Sequence, residues 1–182
     1  MQIKITNTRA AFAKFFKAET VNGEGEPKYG ACFLLDPKDP QVAMINKAID
    51  AVATEKWGAK AAAMLTLMRK TDKTALHDGD LKAQYQGFPG MVYVSANSAL
   101  RPIVVDRDKT PLTAEDGKPY GGCYVNVTVE LWAQDNSYGK RVNAGLLAVQ
   151  FVKDGDSFGG ARAGSADDFE DLAVGADEDS LV

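Results

Sequence analysis

The stretch Tyr124-Val125-Asn126-Val127-Thr128-Val129-Glu130-Leu131-Trp132 decides how this chain is read. Strand side chains alternate between faces, so Val125, Val127, Val129 and Leu131 share one side. That side is a core face. Tyr124, Asn126, Thr128, Glu130 and Trp132 share the other, which is at least partly wet. Two large aromatics on a polar strand face form a candidate stacking surface.

Outward from it, the same parity in Met91–Ala96 turns Val92 and Val94 inward and Tyr93 outward with Ser95. In Lys28–Leu35 both registers are apolar, so Tyr29 has no assignable face. Further strands are expected around Ile3 and Ile5, over Pro102–Asp106 and over Leu146–Val152, with turn residues at Asn22-Gly23-Glu24-Gly25-Glu26-Pro27. Between them Asp39 can cap a helix whose first turn takes Pro40, and Val42, Ile45, Ile49 and Val52 recur at helical spacing. Gly58 ends it after Trp57, read as a core anchor, and residues 59–69 form a second helix. From Asp154 the chain turns rich in Gly, Ser and acids, too poor in apolar surface to offset its ordering entropy. The expected organisation is therefore one domain over residues 1–153, with a helical insertion about 39–69, and a flexible acidic tail over 154–182. Many short strands and Gly-rich turns make the class mainly β with a helical insertion (α+β), a small sandwich or partly open barrel.

The 182 residues suffice for one sizeable core, and no run approaches the roughly 18 apolar residues of a membrane span. Met1-Gln2-Ile3-Lys4-Ile5 begins as an alternating strand without a signal-type apolar block, so a cytosolic location is expected. Cys32 and Cys123 lie far apart beside a single histidine, which argues against a zinc site and against a disulfide scaffold. The formal net charge of −4 is unevenly spread. From Ser165 onward stand Asp167, Asp168, Glu170, Asp171, Asp177, Glu178 and Asp179 without a Lys or Arg, leaving residues 1–164 at +3. A mildly basic body with an acidic tail points to a body that meets an anion and a tail that competes or recruits; a solubilising tail is the plainer use.

No GxSxG, Walker, GxGxxG or HExxH pattern occurs, and no catalytic residues, metal or cofactor are expected. His77 in Leu76-His77-Asp78-Gly79-Asp80 reads as a turn in which Asp side chains bond their own backbone, and Asp154-Gly155-Asp156 reads alike. More telling is the company of aromatics and cations. Arg9, Lys14 and Lys17 interleave with Phe12, Phe15 and Phe16, Lys28 precedes Tyr29, Tyr138 precedes Lys140 and Arg141, and Arg101 follows the Tyr93 strand. Cations track phosphates, and ring faces stack on bases of any kind.

These stretches resemble the phage-type single-stranded DNA-binding proteins with an OB-fold core and an acidic C-terminal tail. The resemblance is carried by Asn22–Tyr29, Asp78-Gly79-Asp80, Ser98–Asp106, Gly121–Asn126, Gly145–Asp156, Gly159-Gly160 and Asp167-Asp168-Phe169. It implies an OB-fold-like, five-stranded barrel that binds single strands in phage replication, recombination or repair, within the bacterial host cytoplasm. Tails of that family often close on an aromatic, whereas this one ends Asp177-Glu178-Asp179-Ser180-Leu181-Val182.

Parity and charge name the expected DNA-binding residues as Arg9, Lys28, Arg101, Lys140 and Arg141 for phosphates and Tyr29, Tyr93, Tyr124, Trp132 and Tyr138 for bases. The tail acids, with Phe169, Leu181 and Val182, are expected to bind replication or recombination proteins. Duplex DNA and RNA are expected as weaker ligands. Two rival readings are a protein–protein assembly module using the outward aromatics and a metal-dependent nuclease using the Asp78–Asp80 or Asp154–Asp156 pairs.

Overall fold

The computed structural model describes residues 1–21, 23–158, 170 and 172–173. Among the described residues, seven strands and two α-helices follow in the order β1 (Gln2–Val21), β2 (Glu24–Leu35), α1 (Pro40–Trp57), α2 (Ala61–Lys70), β3 (Leu76–Asp78), β4 (Val92–Ser98), β5 (Ile103–Val105), β6 (Tyr124–Asn136) and β7 (Gly139–Lys153). The expected five-stranded barrel is present. Its strands run β1-β2-β4-β7-β6 and return to β1, and a short parallel pairing of β4 with β7 (Ala96 with Ala144, Asn97 with Gly145) closes it. β3 and β5 extend the sheet at its two ends.

The core follows the alternation on β6. Val125, Val127, Val129 and Leu131 are all buried, facing Ile5, Phe15, Phe33, Val94 and Leu146 inside the barrel. The helices form where expected. Asp39 accepts the backbone N–H of Gln41 at 2.9 Å, Pro40 opens α1, and Ile45, Ile49 and Val52 bury against the barrel. Each such side chain contributes roughly 1.5–3 kcal/mol to holding the insertion on the barrel. Trp57 is half-buried against this core, and its indole N–H donates to Asp135 at 3.1 Å.

The strands are longer than their apolar patterns. β1 runs twenty residues with four irregularities in its pairing, and the first two, at Ile5–Thr8 and at Ala11–Lys14, let it bend from β6 to β2. Asn7 and Phe12, with φ of +50° and +52°, lie at those bends. A bulge adds a residue and shifts the parity after it, which is why alternation vanishes beyond Ile5.

Residues 154–158, expected to open the tail, pack on the barrel instead. Tyr120 donates its hydroxyl to Asp154 at 2.7 Å, Gly155 N–H donates to that hydroxyl at 3.2 Å, and Phe158 N–H donates to Gly121 O at 2.9 Å. Gly122 permits the approach: a Cβ there would stand 2.1 Å from Asp156 O.

Candidate nucleic-acid interface

The outer face of β2 and β4 lies between two hairpins, β1–β2 and β6–β7. Here Lys28 of β2, Trp132 of β6, Arg141 and Asn143 of β7, and Ser95 and Asn97 of β4 line a depression of about 340 Å³. A second depression, about 290 Å³, shares Ser95 and Asn97 and continues over Gly30 and Cys32 to Lys14, Lys82, Tyr85 and Phe12. Together they form one groove crossing the strands. Lys14, Lys28, Lys82 and Arg141 line it, and no Asp or Glu does.

The floor is bare because of one glycine. A Cβ at Gly30 would stand 2.2 Å from Asn97 Oδ1 and 2.7 Å from Ala96 O, so only glycine lets the Asn97 amide lie across β2. Burial pushes the Cys32 thiol up, while the Lys82 ammonium, a Ser95 hydrogen bond and Lys14 pull against it.

Three of the expected site residues, Lys28, Trp132 and Arg141, meet at one end of this groove, with Trp132 47% exposed. Tyr138 (89% exposed) and Lys140 occupy the adjoining β6–β7 hairpin tip. Tyr29 sits on the face of β2 opposite Lys28 and Gly30, paired with Ser98, and the Arg101 guanidinium lies 5.9 Å from the Phe16 ring centroid. Neither lines the groove.

Three further expected residues, Tyr93, Arg9 and Tyr124, do not line the groove either. Tyr93 does point outward, yet it is 4% exposed, stacked on His77 at 4.9 Å and met edge-on by Phe88 at 5.2 Å. Parity names a face, and here the segment after β3 covers it. Burial pushes the Tyr93 phenol up to about 12. Arg9 is engaged within the chain: Nε donates to Gly122 O at 2.9 Å and Nη2 to Asp156 O at 2.7 Å, with Phe158 4.0 Å beneath the guanidinium. Tyr124 shares Trp132's strand face but stands eight residues away, about 26 Å of strand. Its neighbours are Lys153 at 4.7 Å and Arg9 at 5.9 Å, so it belongs to the seat of residues 154–158 and not to the groove.

Of the two acidic pairs, Asp78 and Asp80 act as acceptors for loop backbone, as the turn reading expects, whereas Asp154 accepts the Tyr120 hydroxyl. Asp78 takes Asp80 N–H at 2.9 Å and Asp80 takes Gly90 N–H at 2.9 Å. Among the described residues no three His, Cys, Asp or Glu side chains cluster as metal ligands. Of the tail residues named above, Glu170 is described and exposed; Asp167, Asp168, Phe169, Asp171, Asp177, Glu178, Asp179, Leu181 and Val182 lie outside the described residues.

Sequence reasoning missed Phe12, Lys82, Tyr85 and Asn97 as groove residues. Phe12 stood in the noted aromatic–cation run, but the bulge hides its direction. Lys82 and Tyr85 lie in an irregular segment without any period to read.

Fold and groove together define a class: an OB-type barrel whose second- and third-strand face, flanked by two hairpins, is open, cationic and edged by rings, the place where such barrels hold oligonucleotides. The chain belongs to the family described as Enterobacter phage Enc34, ssDNA-binding protein, whose model matches residues 1–181. A putative protein p50 of Acyrthosiphon pisum secondary endosymbiont phage 1 is 43% identical over 186 residues, covering 100% of both chains. The single-stranded DNA-binding protein of bacteriophage Enc34, solved in complex with ssDNA, is 30% identical over 87% of this chain and 89% of that one, with a TM-score of 0.71. A single-stranded DNA-binding protein encoded by bacteriophage T7 shares the fold, with a TM-score of 0.59 at 16% identity over 96% of this chain and 93% of that one.

Proposed function

We propose that the chain binds single-stranded DNA across the β2–β4 groove with little regard to base sequence, and does so in phage DNA replication, recombination or repair in the host cytoplasm. The observation that carries this reading is the groove itself: four cations, no carboxylate, and an exposed indole at one end. Lys28 and Arg141 meet phosphates, Trp132 stacks on a base, and Asn97, Asn143 and Ser95 offer hydrogen bonds that any base edge can use. The Enc34 relative, solved with ssDNA, supports the ligand class.

The tail has its own part in this reading. Seven acids from Ser165 onward oppose a body of net +3, so the tail competes with DNA for the groove and recruits replication or recombination proteins when displaced.

Titration with oligo-dT at two salt concentrations tests the reading. Trp132 emission is quenched on binding, the quench is lost in Trp132→Phe, and affinity falls steeply with salt. Salt-independent binding, or no quench, would favour a protein–protein surface instead.

A further inference from the structure

At the groove end away from Trp132 the chain builds a feature that Lys28, Arg141 and Trp132 do not need. Phe12 occupies the bulge between Ala11 and Lys14 with φ +52°. A bulky aromatic seldom adopts that conformation, and such strain persists where surrounding structure enforces it, often beside a binding site. The bulge turns the ring outward, leaving it 43% exposed. Tyr85, also 43% exposed, meets it edge-on with centroids 4.9 Å apart and planes at 87°. The Lys82 ammonium stands 5.5 Å from the Phe12 centroid and 6.0 Å from that of Tyr85.

Behind this pair opens a hollow of about 390 Å³, walled by Ala11, Phe88, Gly121 and Phe158, with the Gln86 amide at its edge. Phe12 and Tyr85 line both the hollow and the cationic groove, so the ring pair stands where the two adjoin. Phe88 packs behind both rings, 5.7 Å from Phe12 and 6.2 Å from Tyr85, and the 43% of each ring that stays exposed is the surface on which a further planar group can pack. An ammonium held between them suits the phosphate that accompanies a base.

We infer that this hollow is a second base-stacking subsite: Phe12 and Tyr85 hold one nucleobase of the bound strand and Lys82 its phosphate. The inference rests on the groove reading above. From Trp132 on β6 to Phe12 on β1 the path crosses β7, β4 and β2, four strand spacings or about 19 Å. A long oligonucleotide therefore reaches both ends, and a very short one reaches a single end.

The test uses the full chain with oligo-dT of about 2 and about 12 nucleotides, the shorter being too short to span about 19 Å and the longer within the site sizes of such barrels. Phe12→Gly deletes the ring while glycine accepts the positive φ, and Tyr85→Ala deletes the second ring without touching β1. Each variant is expected to lower affinity for the long oligonucleotide about fivefold or more, while Trp132 quenching by the short one stays as in the parent and circular dichroism shows the fold intact at the assay temperature. Lys82→Ala should flatten the salt slope for the long oligonucleotide by about 0.7. Parent-like long-oligonucleotide affinity in both ring variants overturns the subsite while the groove stands. Equal loss at both lengths overturns it too, because the rings would then be acting through the fold. Absence of Trp132 quenching in the parent chain is a different failure, that of the groove reading itself.

Discussion

Replacing Lys28 and Arg141 together by Ala removes half of the groove's four cations, and the consequence can be worked out from the geometry. On single strands log K falls with log salt at about −0.7 per phosphate neutralised, so four contacts give a slope of about −2.8. Between 50 and 200 mM salt the parent chain should lose roughly 50-fold in affinity. With two contacts left, the slope is about −1.4 and the loss over the same interval about sevenfold. Neither side chain joins an ion pair among the described residues, so the substitutions leave the barrel's own contacts in place. Lys14, held 3.7 Å from Glu19, must exchange that partner for a phosphate, which costs little because exposed pairs contribute about 0–1 kcal/mol. The assay is a fluorescence titration with oligo-dT at four or five salt concentrations, with melting curves as the control for folding. A parent slope near zero would refute the electrostatic reading. A parent slope near −2.8 that the double substitution leaves unchanged would show that these two cations do not meet phosphates.

Arg9→Ala should behave oppositely, costing about 1–3 kcal/mol of stability through two lost hydrogen bonds to Gly122 and Asp156 while leaving the salt slope intact; melting and titration together check it. Truncating residues 165–182 removes seven acids and should raise affinity for DNA, most of all at low salt, where competition is unscreened; superimposable low-salt titration curves would reject the competitor role. Burial raises the Tyr93 phenol from 10.0 to about 12 and the Cys123 thiol from 9.0 to about 11. The native chain then keeps protons that the unfolded chain has lost, so stability should be level below about pH 9 and decline from there toward pH 12, as denaturant titrations in that window would show.

The parts of this molecule that were legible in its sequence are those where one physical requirement repeats. Burial repeats every second residue on β6 and every three to four on α1, so Val125–Leu131 and Ile45–Val52 announced themselves and proved buried. Charge asymmetry was legible because it needs only counting. Cover is not legible in that way. Tyr93 has the parity of a surface residue, and a neighbouring segment that shows no period buries it beneath Phe88. Arg9 has the chemistry of a phosphate ligand, but two carbonyls brought close by Gly122 claim its guanidinium.

The groove shows why the remainder stayed hidden. Its cationic end joins residues 28, 97, 132 and 141, which become neighbours only because the barrel orders its strands β6-β7-β4-β2. No local window contains that adjacency. Its aromatic end is made where β1 departs from strand regularity, at Phe12, and where an irregular segment supplies Lys82 and Tyr85. Repeating patterns therefore locate the scaffold, and the proposed binding surface lies where they are interrupted or crossed. The same reasoning separates Tyr124 from Trp132. Both satisfy one parity rule on one strand, but about 26 Å of strand and the docked residues 154–158 put them to different uses. Trp132 is left exposed at the groove, whereas Arg9 and Tyr124 stand at the seat of residues 154–158.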